Sequence, residues 1–170
     1  DVPHRGDLSM TPIHALARDV LERATARGVM IATAESCTGG LVTAALTEIA
    51  GSSAVMDRGF VTYTNEAKQD LLGVKAATLE AHGAVSSQTA QEMAQGALAR
   101  SQAKLAVSIT GVASQGGGSA HKPVGLVWFG LAQAGRDTRT VQRRFGEAGR
   151  SKVRAVSVET ALTLLRDALR

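Results

Sequence analysis

The run Val29-Met30-Ile31-Ala32-Thr33-Ala34-Glu35-Ser36-Cys37-Thr38-Gly39-Gly40 decides the fold. Val29 to Ala34 is a short apolar stretch without charge, which suits a central strand buried on both faces. A second helix is predicted over Cys37 to Ile49, opened by the Ser36-Cys37-Thr38-Gly39-Gly40 turn. A strand that hands over to a helix in this way gathers hydroxyls and free backbone N–H groups at a positive helix end, a natural anion or oxyanion site. Capping by Ser36 and close packing at the glycines account for the same residues without any ligand.

Upstream, Thr11-Pro12 reads as a cap followed by proline at the first helical position. Ile13, Leu16, Ala17, Val20, Leu21 and Ala24 then recur at helical spacing, and Gly28 stops the helix. Asp1 to Ser9 carries no periodicity and reads as a tail, leaving residues 10–170 as one domain. Downstream, a strand is expected at Val55 and over Gly59 to Thr64, and a helix containing Lys68 to Leu72, ended by Gly73. A turn follows near Thr78 to His82, a helix from Ser86 or Ser87 to Arg100, and a buried strand over Leu105 to Thr110. A loop from Gly111 to Pro123 precedes a hairpin of Val124 to Ala134 with Thr138 to Phe145, and Ser151 to Leu169 closes the chain as a helix. This order predicts an α/β fold, a three-layer α/β/α sandwich around a mixed, mostly parallel β-sheet, with ligands at the strand ends.

Composition narrows the function classes. The 170 residues are 44% hydrophobic, enough for one packed core. A net charge of +4 is scattered over the chain and only 3% of residues are aromatic, so no basic stripe with stacking rings argues for nucleic acid. No apolar run is long enough to span a bilayer. The single cysteine, Cys37, excludes an internal disulfide and agrees with a reducing cytoplasm. His4, His14, His82 and His121 show no metal-ligand spacing, and no metal is expected.

Near misses to known motifs are informative because each missing residue has a mechanical role. Gly111 to Gly116 has P-loop spacing, but Gly117 and Gly118 stand where the phosphate lysine and the magnesium hydroxyl belong. Ser36 has Ala34 and Thr38 where a nucleophile elbow needs glycines, and Gly39 where a penicillin-binding-protein pattern needs lysine.

Several segments together resemble a known family: Ala34 to Gly40, Gly51-Ser52-Ser53-Ala54, and Arg58-Gly59-Phe60-Val61-Thr62-Tyr63-Thr64-Asn65-Glu66-Ala67-Lys68. His82-Gly83-Ala84-Val85-Ser86, Thr110-Gly111, Gly116-Gly117-Gly118-Ser119 and Lys122-Pro123-Val124-Gly125 continue the match. In order and spacing they are similar to the C-terminal domain of the competence/damage-inducible CinA proteins, whose stand-alone members are nicotinamide mononucleotide amidases. The resemblance implies a three-layer α/β fold and hydrolysis of a nucleotide carboxamide to the acid and ammonia, without a cofactor. It implies Ser36 as nucleophile, Lys68 as its base and Tyr63 as a supporting hydroxyl. It also implies a small-molecule nucleotide substrate and a homo-oligomer. The chain departs from the pattern at Ala113-Ser114-Gln115, where many relatives have Ala-Gly-Pro, and in a longer segment from Phe145 to Arg150.

The residue types fit that chemistry. A serine hydroxyl needs a neighbour to take its proton, and burial together with a nearby cation such as Arg58 lowers a lysine pKa toward a neutral amine. Tyr63 is placed to relay a proton to departing ammonia. Thr38, Gly39, Gly40 and the glycines Gly116, Gly117 and Gly118 offer backbone donors to a phosphate, and Arg150 and Arg154 offer charge. Cys37 adjoins the nucleophile and reads as a packed residue beside the substrate, with a reactive thiolate as its rival role. A catalytically silent pyridine-nucleotide or phosphosugar-binding module is the alternative reading, and turnover separates the two.

Overall fold

The computed structural model describes residues 11–114 and 121–170. Helix α1, Pro12–Arg27, starts where the Thr11 hydroxyl accepts from the His14 N–H and ends at Gly28, whose φ of 64° is left-handed. Strand β1, Ile31–Glu35, is buried at every residue. Helix α2, Leu41–Thr47, begins four residues later than the sequence predicts. The cause is local: Gly39 and Gly40 have φ of 57° and 107°, outside the helical range, so Ser36 to Gly40 forms a separate turn.

Strand β2 covers Met56–Val61, earlier than the expected Gly59 to Thr64. Helix α3, Asn65–Leu72, is capped by the Thr64 hydroxyl, which accepts from the Ala67 N–H, and ends at Gly73. Helix α4, Ala76–His82, is a full helix in place of the expected turn. Helix α5, Ser87–Ala99, is capped by Ser86. Strands β3, Leu105–Gly111, β4, Leu126–Gln133, and β5, Arg139–Arg144, and helix α6, Arg150–Ala168, complete the chain close to the predicted bounds. No helix among the described residues is long and apolar enough to cross a membrane.

The five strands form one sheet in the order β2-β1-β3-β4-β5. β1 runs parallel to both β2 and β3, while β4 is antiparallel to β3 and to β5. Among the described strands only β4 is reversed, so the sheet is mixed as the sequence predicts, with two parallel and two antiparallel pairings where a mostly parallel set was expected. α1, α2 and α6 cover one face around Ile31, Phe129 and Leu162. α3, α4 and α5 cover the other around Ala32, Ala34 and Met93. Alternation along β1 sends neighbouring side chains to opposite layers. The chain leaves β1 toward β2 and returns to β3 on its other side, so connections diverge at the carboxyl ends of β1 and β3. In open α/β sheets such a switch point is where ligands bind.

Candidate active site

Ser36 follows β1 directly, and its N–H donates to the Ile109 carbonyl of β3 at 2.9 Å, fixing it at that switch point. The turn behind it is held from beneath by Glu35, which is fully buried. One Glu35 oxygen accepts from the Thr38 hydroxyl at 2.6 Å and the Val42 N–H at 2.9 Å. The other accepts from the Thr43 N–H at 3.1 Å and the Thr43 hydroxyl at 2.9 Å. Since Thr43 gives its proton to Glu35, Thr33 must donate across the 2.6 Å contact to Thr43. The first free donors of α2 are thus occupied by the protein's own carboxylate, which corrects the expectation that they face a ligand.

Lys68 lies on α3, across the sheet end, and is 1% exposed despite its charge-bearing side chain. Its Nζ donates to Ser36 Oγ at 3.0 Å, to the Thr62 carbonyl at 2.8 Å and to the Tyr63 carbonyl at 3.1 Å. Two of these partners can only accept, whereas the hydroxyl can accept or donate. In the neutral amine, two N–H bonds satisfy the carbonyls and the lone pair is left for the Ser36 proton. Burial lowers the Lys68 pKa from its usual range to about 8, opposed only weakly by the neighbouring Cys37. The same burial pushes the Cys37 thiol up to about 11, against the pull of its own backbone N–H, so it stays protonated and unreactive near neutrality.

A cavity of about 400 Å³ opens above this pair, lined by Ser36, Cys37, Tyr63, Lys68, Ala84, Val85, Thr110 to Ser114 and Arg150. Ala84, Val85, Val112 and Ala113 give it small apolar walls, and Arg150 gives it a cation at the rim. Arg150 donates to the Tyr63 hydroxyl at 3.0 Å and to Ser114 Oγ at 3.3 Å. Tyr63 is 60% exposed, and it meets Lys68 through its carbonyl, while its phenol is held by Arg150.

The predicted site residues therefore separate into groups. Ser36, Cys37, Tyr63, Lys68 and Arg150 share the cavity. Thr38, Gly39 and Gly40 shape the turn without lining that cavity, and the Gly39 N–H closes it by donating to the Ser36 carbonyl at 3.0 Å. Arg154 binds the turn from behind through the Cys37 and Thr38 carbonyls. Arg58 is elsewhere: it pairs with Asp57 and the Arg100 carbonyl in the first half of β2 and contributes nothing to the Lys68 shift. Gly116, Gly117 and Gly118 lie outside the described residues. Sequence reasoning missed Glu35 as the anchor of the turn. Its signal was an acid ending an otherwise uncharged strand just before a helix, where only helix N–H groups and hydroxyls can satisfy it.

A buried lysine nitrogen on a serine hydroxyl, at the carboxyl ends of parallel strands, defines an α/β protein with a serine–lysine pair at its switch point. The chain belongs to the CinA C-terminal domain family, whose sequence model matches residues 13–169. It is 49% identical over 160 residues to the nicotinamide-nucleotide amidohydrolase PncC of Enterobacter agglomerans, covering 91% of this chain and 96% of that protein. The PncC protein of Escherichia coli strain K12 is 49% identical over 150 residues, 88% and 90% of the two chains. A putative competence-damage inducible protein of Caldicellulosiruptor bescii is 45% identical over 159 residues, 91% of this chain, which spans only 38% of that longer protein. The crystal structure of the competence/damage inducible protein CihA from Agrobacterium tumefaciens superposes with a TM-score of 0.92 at 54% identity, covering 96% of this chain and 98% of that one.

Proposed function

We propose that the chain hydrolyses the carboxamide of nicotinamide mononucleotide to nicotinic acid mononucleotide and ammonia, with Ser36 as nucleophile and Lys68 as base. The observation that carries this reading is the 3.0 Å contact between Lys68 Nζ and Ser36 Oγ, with the other N–H directions of the amine tied to two carbonyls. Identity near one half to proteins named nicotinamide-nucleotide amidohydrolase, over nearly their whole length, supports the choice of substrate.

In this mechanism Lys68 takes the Ser36 proton as Oγ bonds to the carboxamide carbon, and the carbonyl oxygen becomes an oxyanion on the Cys37 side of the cavity. The C–N bond then breaks, and the proton held by Lys68 passes to the departing nitrogen to give ammonia, while the Tyr63 phenol, held by Arg150, lines the same cavity. Water attacks the resulting ester, Lys68 takes its proton and returns it to Oγ as the Oγ–C bond breaks, which releases the acid and regenerates the serine and the free amine. The small apolar walls receive the pyridine ring, and Arg150 at the rim pairs with the phosphate.

Purified protein incubated with nicotinamide mononucleotide is expected to release ammonia, and Ser36→Ala to lose more than about a thousandfold of that rate while keeping its thermal midpoint. An active Ser36→Ala protein defeats the assignment. A wild-type protein that binds the nucleotide without turnover favours a silent binding module instead.

A further inference from the structure

We propose that Arg154 is a positioning residue that presets the nucleophile turn, and with it Ser36, by gripping two successive carbonyls from α6. Its Nε donates to the Cys37 carbonyl at 3.1 Å and its Nη2 to the Thr38 carbonyl at 3.4 Å. It takes no part in lining the catalytic cavity.

The consequence follows from peptide geometry. Each peptide bond here is trans, so its N–H points opposite to its C=O. The Thr38 carbonyl faces Arg154, and the Gly39 N–H in the same plane points back to the Ser36 carbonyl at 3.0 Å. By the same rule, fixing the Cys37 carbonyl toward α6 turns the Thr38 N–H away from α6. α6 packs on one face of the sheet, and α3, which carries Lys68, packs on the other. With both peptide planes fixed, the turn that begins at Ser36 is held where Lys68 meets Ser36 Oγ. Thr38 itself is buried and lies outside the cavity lining, so the grip acts on the site through Ser36. The Thr38 side chain, tied to Glu35 at 2.6 Å, prevents the plane from rotating.

A planar guanidinium suits this task because it spans neighbouring acceptors in a fixed fork, which an ammonium cannot do. Gly39 is part of the fit, since a Cβ there would stand 3.4 Å from Arg154 Nη2 on a backbone whose φ of 57° already disfavours side chains. Arg150, one helical turn earlier, faces the cavity rim, so the two arginines divide between substrate side and turn side.

This inference rests on the proposed amidase for its substrate, though not for its nucleophile, and two assays separate the claims. The first measures ammonia release from nicotinamide mononucleotide by wild type, Arg154→Lys and Arg154→Ala. The second measures labelling of Ser36 by a fluorophosphonate, followed by intact mass. In that reaction Oγ bonds to phosphorus, the P–F bond breaks, fluoride leaves, Lys68 accepts the hydroxyl proton, and Oγ must be presented by the same turn. Arg154→Ala is expected to lower kcat and the labelling rate by about tenfold to a hundredfold, less than the ~10²–10³ seen when an oxyanion donor itself is deleted. KM and the pH at which activity rises stay unchanged, added guanidinium salt restores part of the rate, and Arg154→Lys falls between. Arg154→Gln, which keeps one amide donor, takes the place of Arg154→Ala if the latter does not fold.

Wild-type labelling rates in Arg154→Ala overturn the proposal. So does a rate loss that guanidinium does not relieve and that tracks a fall in thermal midpoint. If labelling depends on Arg154 while the wild type releases no ammonia, the turn assignment stands and the choice of amide substrate fails.

Discussion

At the scale of single residues, the decisive atom of the proposed mechanism is the Lys68 nitrogen, because there its protonation state sets whether Ser36 is a nucleophile. With a pKa lowered to about 8 by burial, the amine is mostly charged at pH 7 and mostly free above pH 8. Activity expressed as kcat/KM is therefore expected to rise tenfold per pH unit below that value and to level off above it. A profile that is flat from pH 6 to 9 contradicts Lys68 as the base. Lys68→Met, which keeps the stem volume and removes the amine, is expected to lose about 10²–10⁴ of the rate at every pH. The residue types and the family resemblance made Ser36 and Lys68 legible in the sequence. Their meeting was not, since 32 positions separate them and only the fold closes that distance. Arg58 was misread for a related reason. With β2 starting at Met56, residue 58 sits four residues before Thr62, about 13 Å at ~3.3 Å per residue, and so cannot influence the amine as expected.

The elements position these atoms through close backbone contact more than through side-chain bulk. Gly96 on α5 faces the end of α3, where a Cβ would stand 2.0 Å from the Leu72 carbonyl oxygen and 2.9 Å from its carbon. Both are backbone atoms that cannot turn aside, so Gly96→Ala must push α3 away from α5. Lys68 is one helical turn before Leu72, and the displacement reaches it directly. Gly96→Ala is expected to cost about 1–3 kcal/mol as an overpacked contact. That corresponds to several degrees in thermal midpoint, and kcat should fall by more than the tenfold that ~1.4 kcal/mol represents. Calorimetry beside ammonia release checks it; full activity with a lowered midpoint means that α3 does not set the lysine's position. Periodicity and caps gave most helix and strand positions because they depend on neighbours in sequence. The start of α2 escaped that reading, since Thr38 to Gly40 are compatible with a helical start until their backbone angles are known.

Across the whole molecule, three parallel strands deliver Glu35, Thr62 and Gly111 to one end of the sheet, and the buried lysine closes the space between them. Because that lysine is enclosed by the fold as a unit, its proton is coupled to global unfolding. Its folded pKa of about 8 lies below the 10.5 of a free lysine, so the folded state binds fewer protons between those values. Below pH 8 both states are protonated, and the folded protein carries the full cost of the buried cation, on the order of 3 kcal/mol. As pH rises from 8 to 10.5 the folded state sheds its proton first and stability grows; above 10.5 there is no further gain. Lys68→Met has no such titration, and subtracting its unfolding free energy from that of the wild type removes the contribution of the other ionisable groups. Urea unfolding at successive pH values is expected to show this difference moving in favour of the wild type between pH 8 and 10.5. A difference that stays constant across the window means that the folded amine titrates as it does in water, and the base mechanism then lacks its physical cause.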